Sequence, residues 1–151
     1  MPSPSSTRKV PSKRRSTPSA KPRMSLAEAM RELERAGSAQ TRKTYARHGA
    51  AEPMFGVSFA TLKAMTKRID VDHALAFALW KTGNFDARNL AVKIVDPAQL
   101  TSSDLDRWAR EVSPSRMCGG YVAMLAAERP GGAAKVDEWL SSRRKIGRAH
   151  V

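Results

Sequence analysis

Apolar positions recur along this chain at the three- and four-residue spacing of amphipathic helices, and the pattern is clearest around three tryptophans. Trp80, Trp108 and Trp139 lie 28 and 31 residues apart, and an apolar residue stands three positions before each of them. Positions three apart share one helix face, so each tryptophan is predicted to lie on an apolar helix stripe. The spacing indicates an internal repeat of about 30 residues.

Each tryptophan helix is followed by turn residues and, for the first two, by a second helical run. In segment 76–95 (AFALWKTGNFDARNLAVKIV) the turn falls at residues 82–84, and a similar second run spans 116–127. A pair of short helices cannot bury its own apolar stripe and must stack on neighbouring pairs. No segment alternates with period two for long enough to form a strand, so the folded part is predicted to be all-α.

Capping residues predict where the other helices begin. Ser25 and Glu28 have the form of a capping box, and Gly37 is predicted to close the first helix in the left-handed conformation. Ser58 is predicted to cap a third helix, and Thr101 to open another capping box. The third helix is predicted to turn four apolar residues inward: Phe59, Leu62, Met65 and Ile69.

Residues 1–24 are predicted to be a disordered basic tail. Residues 1–23 carry seven Lys and Arg, no acid, several prolines and a single large aliphatic residue, so they cannot bury a core. A nucleic-acid-binding arm, an inert solubilising tail and an organelle transit peptide are the possible roles, and the prolines argue against the last. For the arm, the expected DNA contacts are Lys9, Lys13, Arg14, Arg15, Lys21 and Arg23.

The net charge of the whole chain favours certain classes of binding partner. Lys and Arg number 27 against 14 Asp and Glu, and the resulting +13 favours a polyanion such as nucleic acid or an anionic membrane surface. No stretch approaches the roughly 20 apolar residues of a membrane span. Cys118 stands alone and the three histidines are scattered, so we expect no disulfide, metal site or cofactor. The expected location is the cytoplasm, in association with the nucleoid.

Five segments together resemble one known family. They are 45–49 (YARHG), 55–62 (FGVSFATL), 73–76 (HALA), 79–84 (LWKTGN) and 86–91 (DARNLA). Over residues 25–143 the sequence resembles the DNA alkylation repair (AlkD-like) family. That resemblance implies a right-handed α-α superhelix of HEAT-like repeats, here a truncated domain over 25–144. It also implies a DNA glycosylase that excises N-alkylated purines, with a basic concave groove across double-stranded DNA.

By the resemblance, this sequence has no aspartate at the position where the family's catalytic carboxylate is expected. The expected run falls at residues 115–119, where Gly119 stands in place of the aspartate. The family's catalytic arginine would belong to the next repeat, at or beyond residues 143–144. Asp86 is a weak substitute for the carboxylate, and it is also placed to cap its own helix. Gly119 and Gly120 either permit a close backbone approach or delay the helix start to Tyr121.

Three functions remain open at this stage. One is a DNA-binding HEAT-like repeat protein without glycosylase activity, the second an active alkylpurine glycosylase that uses other carboxylates, and the third a protein-binding scaffold. The positive charge favours the first two, and Gly119 favours the first over the second. The expected DNA contacts in the folded part are Tyr45, Trp80, Lys81, Arg88 and Arg116. Burial of Trp80 in the core is the alternative for that residue.

Residues 145–151 (KIGRAHV) depart from the repeat pattern. They resemble the translation of a sequencing-library adapter, so we expect this terminus to be non-native and the last repeat to be incomplete.

Overall fold

The structure is a computed structural model that describes the backbone of residues 23–112 and 116–149 and the side chains of 23–112 and 122–141. Every regular element in these residues is helical, which confirms the all-α prediction. The elements are α1 (Leu26–Ala36), α2 (Ala39–Arg47), α3 (Phe59–Ile69), α4 (His73–Lys81), α5 (Phe85–Ile94), a 3-10 turn (Pro97–Gln99), α6 (Ser102–Glu111), α7 (Arg116–Glu128) and α8 (Gly132–Ala149).

The predicted caps are present at the starts of three of these helices. The Ser25 hydroxyl accepts a hydrogen bond from the Glu28 amide at 3.1 Å, while the Glu28 carboxylate accepts from the Ser25 amide. Thr101 and Asp104 form the same reciprocal pair at α6, and Ser58 accepts from an amide in the first turn of α3. Each cap satisfies amides that have no partner inside the helix, so the local sequence alone determines where these helices begin.

The role of Gly37 differs from the prediction. Its φ of −68° and ψ of 146° are those of extended backbone, so no left-handed cap closes α1. A Cβ at this position would instead collide with the backbone carbonyl of Phe55. Gly37 is therefore required by the close approach of the α2–α3 loop, a tertiary contact that the local sequence does not show.

The helices pack in two rows. In one row α5 lies between α3 and α7, and in the other α4, α6 and α8 carry Trp80, Trp108 and Trp139. Short connections join α4 to α5 and α7 to α8, and each of these pairs packs along its length. The main core runs between the rows and includes Leu79, Leu90, Ile94 and Leu105, each fully buried. The three tryptophans thus occupy corresponding helices of successive repeats.

Two local predictions change in the structure. Phe59 is 39% exposed, although Leu62 and Met65 of the same helix are buried as predicted. Phe59 is the first residue of α3, and its ring packs against that of Tyr45 with centroids 5.7 Å apart. α7 begins at Arg116, so the later start at Tyr121 is wrong and both glycines lie inside the helix.

The domain boundaries remain predictions. Regular structure begins at Leu26, close to the predicted start at residue 25, and α8 continues through Ala149, past the predicted boundary at residue 144. Within the described residues, no helix has both the length and the apolar character needed to cross a bilayer.

Candidate nucleic-acid interface

Arg88 is the centre of a contact network at one edge of the domain. From α5 it reaches the end of α4, where its Nε donates to the Trp80 carbonyl at 3.2 Å. Its Nη1 donates to the backbone carbonyl of Glu111 at 2.7 Å, and its Nη2 lies 3.8 Å from the Glu111 carboxylate. The guanidinium carbon is 4.8 Å from the centre of the Trp80 ring. Arg88 therefore joins the ends of α4 and α6 and is only 19% exposed.

Trp80 lies beneath Arg88 in a stack of two indoles. Its ring is parallel to that of Trp108, with an interplanar angle of 5° and centroids 4.2 Å apart. The Trp80 indole N–H donates to the Glu111 carboxylate at 2.6 Å. The residue is 1% exposed, so it packs the core and presents no face to DNA. This corrects the predicted DNA contact at Trp80 and agrees with the alternative of burial.

Beside this stack lies a cavity of about 240 Å³ between the ends of α4 and α6. Its lining combines three cations, three aromatic side chains and one carboxylate: Lys81, Arg88, Arg107, Phe77, Trp80, Trp108 and Glu111. We call it the α4–α6 cavity. Lys81 is exposed and the Arg107 side chain is 44% exposed, so two of the cations face solvent.

Tyr45 is also buried, contrary to the expectation that it contacts DNA. The residue is 5% exposed, and its hydroxyl donates to the Val57 carbonyl at 2.5 Å. Its ring packs at a tilt against Phe59 and Phe85, with centroids 5.7 and 5.4 Å away. The residue therefore anchors α2 to the starts of α3 and α5. Its surroundings are those of a core tyrosine whose hydroxyl has found a partner.

Asp86 is fully buried and serves the loop that precedes α3. One carboxylate oxygen accepts from the amides of Phe55 at 2.6 Å and Gly56 at 3.0 Å, and the other accepts from Val57 at 2.9 Å. Capping of α5 belongs to Asn84, whose side-chain oxygen accepts from two amides of the first turn. Both oxygens of Asp86 thus accept hydrogen bonds from backbone amides. Asp86 neither caps α5 nor faces a surface that DNA could reach, so both predictions for this residue are wrong.

A second ionic network joins α6 to α8. The Lys135 ammonium lies 2.7 Å from Asp106 and 3.2 Å from Glu138, and its side chain is 5% exposed. Burial alone would lower the pKa of Lys135, but the hydrogen bonds and charges of the two carboxylates outweigh burial and raise it. The hydrogen bond from Lys135, aided by one from the Trp139 indole, lowers the pKa of Asp106.

Of the remaining predicted DNA contacts, some lie in the described part of the chain and others lie outside it. Arg23 is exposed beside the turn between α3 and α4, and Arg116 begins α7, with its side chain outside the described residues. The other tail cations lie outside the described residues. Among the residues that the structure describes, no cluster of His, Cys, Asp or Glu is arranged to hold a metal ion.

Sequence reasoning missed the roles of Arg107 and Glu111. Both lie on α6, three and seven residues after Asp104, and nothing local distinguishes them from solvated helix residues. A weak signal exists, because residues 105, 108 and 112 form the apolar stripe of this helix and residue 111 borders it. Only the packing of α6 against α4 brings Glu111 to the Trp80 indole.

The comparisons with known proteins agree with the helical architecture. The sequence model of the DNA alkylation repair enzyme family matches residues 29–149. A solved structure described as a new family of proteins related to the HEAT-like repeat DNA glycosylases, with affinity for branched DNA structures, superposes with a TM-score of 0.74. It is 36% identical, and the match covers 79% of this chain and 51% of that protein, so this chain spans about half of its length. Among curated proteins none matches. The chain belongs to the DNA alkylation repair enzyme family and has its HEAT-like repeat fold.

Proposed function

We propose that this protein binds DNA through backbone phosphates, favours branched DNA over a linear duplex, and does not excise bases. The observation that carries the proposal is the surplus of positive charge. Residues 1–23 hold seven cations and no acid, and the remaining residues hold 20 cations against 14 acids. Cations in such excess neutralise phosphates and release counterions, which is the main source of sequence-independent affinity for DNA.

Support for branched DNA comes from the solved relative, which is described as having affinity for branched DNA structures. At 36% identity and a TM-score of 0.74 the two proteins share a fold, which supports a shared class of ligand. A protein that reads phosphates rather than base edges discriminates DNA by shape. A junction offers phosphates of several arms to one curved surface, whereas a linear duplex offers only two strands.

The tail is expected to dominate the salt dependence of binding. If about five phosphates are neutralised, the slope of log K against log salt should be near −4.5 for duplex DNA. Deletion of residues 1–23 should flatten that slope, because it removes seven of the cations. Fluorescence anisotropy titrations at several salt concentrations provide the measurement. A matched control keeps the length of the tail and replaces its seven Lys and Arg by Gln, and it should behave like the deletion. An unchanged slope in both variants would show that the tail does not touch DNA.

Base excision is not expected, because the chain lacks an accessible carboxylate where the family requires one. A glycosylase of this kind must stabilise positive charge that develops on the deoxyribose. By the resemblance, Gly119 stands where the family's aspartate is expected, and Asp86 is 0% exposed with both oxygens bonded to backbone amides. A deoxyribose therefore cannot reach Asp86 while the α2–α3 loop keeps its structure.

The corresponding experiment incubates methylated duplex DNA with the protein and measures free 7-methylguanine and 3-methyladenine by chromatography. We expect no release above a heat-corrected blank, and an active alkylpurine glycosylase serves as the positive control. Release that the wild-type chain shows and a folded Asp86→Asn variant lacks would restore the glycosylase hypothesis.

A further inference from the structure

The polar lining of the α4–α6 cavity contains more hydrogen-bond donors than acceptors. Within the described residues, Lys81 makes no hydrogen bond or ion pair to another side chain, although it lines the cavity. Arg107 approaches Asp104 only at 3.6 Å. Against these donors stands the single carboxylate of Glu111, 40% exposed.

We propose that the α4–α6 cavity is a phosphate-binding site that receives a backbone phosphodiester of bound DNA. This inference rests on the proposed function and assigns part of the DNA contact to one place. A lining with surplus donors and net positive charge suits an anion with several acceptor oxygens, which a phosphate provides. A volume of about 240 Å³ leaves room for the group with some of its water.

Arg88 is held in position for this task before any ligand arrives. Its hydrogen bonds to two backbone carbonyls and its contact with the Trp80 ring fix the guanidinium at the cavity wall. An arginine has five N–H donors, so these bonds leave some of them for a ligand. The 3.8 Å separation from the Glu111 carboxylate is too long for a hydrogen bond. A phosphate would therefore meet an arginine that has already lost its side-chain freedom.

The aromatic lining argues against a nucleobase as the ligand. Trp80 is covered by Trp108 on one face and by Arg88 on the other. Phe77 packs against His73 and Trp108, with ring centroids 4.7 and 5.3 Å away, and the Arg107 guanidinium lies 5.8 Å above its ring. Base stacking needs an open ring face. The aromatic residues instead form a rigid apolar floor that orients the cations.

The test compares two double variants with the intact chain. Lys81→Ala with Arg107→Ala removes two exposed cations of the cavity, while Arg31→Ala with Arg35→Ala removes the same charge from the exposed surface of α1. We expect the cavity variant to lose at least about tenfold in affinity for a four-way DNA junction and to flatten the salt slope by about 1 to 2. In the control variant, the change in log Kd for the junction should be less than a third of the change in the cavity variant. Thermal melting of each variant checks that the fold is intact.

A second readout uses pyrophosphate alone, because Trp80 and Trp108 lie at the cavity and their fluorescence reports its occupancy. Pyrophosphate should change that fluorescence saturably in the wild-type chain and not in the cavity variant. Glu111→Gln, which keeps an oxygen for the Trp80 indole and removes the negative charge, should bind both ligands about threefold more tightly.

The outcomes separate this proposal from the proposed function. Equal loss of DNA affinity in both double variants, or no loss in either, overturns the cavity as a DNA contact while DNA binding itself stands. If pyrophosphate binds but the cavity variant binds DNA normally, the site takes a free phosphate compound and the backbone assignment is wrong. If the wild-type chain does not bind DNA, the proposed function fails, and saturable pyrophosphate binding then decides whether a phosphate site exists.

Discussion

Replacing Asp86 by alanine is expected to lower the free energy of unfolding by about 3–5 kcal/mol, because a buried backbone donor left without an acceptor costs roughly 1–3 kcal/mol. Three amides, those of Phe55, Gly56 and Val57, depend on this carboxylate. In a domain of this size the melting temperature should fall by roughly 10–20 °C. Circular dichroism during heating and urea titration measure the two quantities.

Two further variants make the Asp86 result specific. Asp86→Asn keeps the shape and one acceptor oxygen, so its loss of stability should lie between those of wild type and Asp86→Ala. Asp137→Ala removes an exposed carboxylate of α8 and should change stability by no more than about 0.5 kcal/mol. If the Asp86→Ala and Asp137→Ala variants had the same melting temperature, the hydrogen bonds from the three amides to the carboxylate would not stabilise the fold.

Replacing Trp80 by alanine is the second change with a large expected effect. It removes the stack with Trp108, the hydrogen bond to Glu111 and the ring beneath Arg88. Truncating a buried tryptophan costs about 3–5 kcal/mol, because a cavity remains where the ring was. The free energy of unfolding in urea should fall by that amount.

Graded controls accompany the Trp80 experiment. Trp80→Phe retains an aromatic ring but loses the indole N–H, so its cost should be smaller than that of alanine. Val71→Ala truncates a side chain that is 61% exposed and should stay within about 0.5 kcal/mol of wild type. Equal stability of the Trp80→Ala and Val71→Ala variants would contradict the placement of the indole stack in the core.

The elements that the sequence predicted well depend on local chemistry. The caps at Ser25, Ser58 and Thr101 and the helical run from residue 116 follow from hydrogen bonds or periodicities within a few residues. The 28- and 31-residue spacings of the tryptophans likewise predicted corresponding helices in stacked repeats. Local bonds form in the same way wherever the segment lies in the fold, so the sequence reveals them.

The site could not be predicted in the same way, because its residues meet only through the packing of distant segments. Asp86 bonds to amides about thirty positions away, and the Trp80 indole reaches Glu111 across a similar separation. The resemblance favoured Tyr45 and Trp80 as DNA contacts, but an aromatic residue fits an interface and a core equally well. Burial of the rings decides between those two possibilities, and it depends on neighbours from other repeats.

The measurement that tests DNA binding most directly is an equilibrium titration of a labelled four-way junction with the intact chain. A linear duplex of the same base composition is titrated beside it in the same buffer of about 50 mM salt, where phosphate contacts are screened less than at physiological salt. We predict saturable binding to both DNAs, with the junction bound at least about tenfold more tightly, a difference of about 1.4 kcal/mol. Equal affinity for the two would contradict the preference for branched DNA, and no saturable binding to either would contradict the proposed function itself.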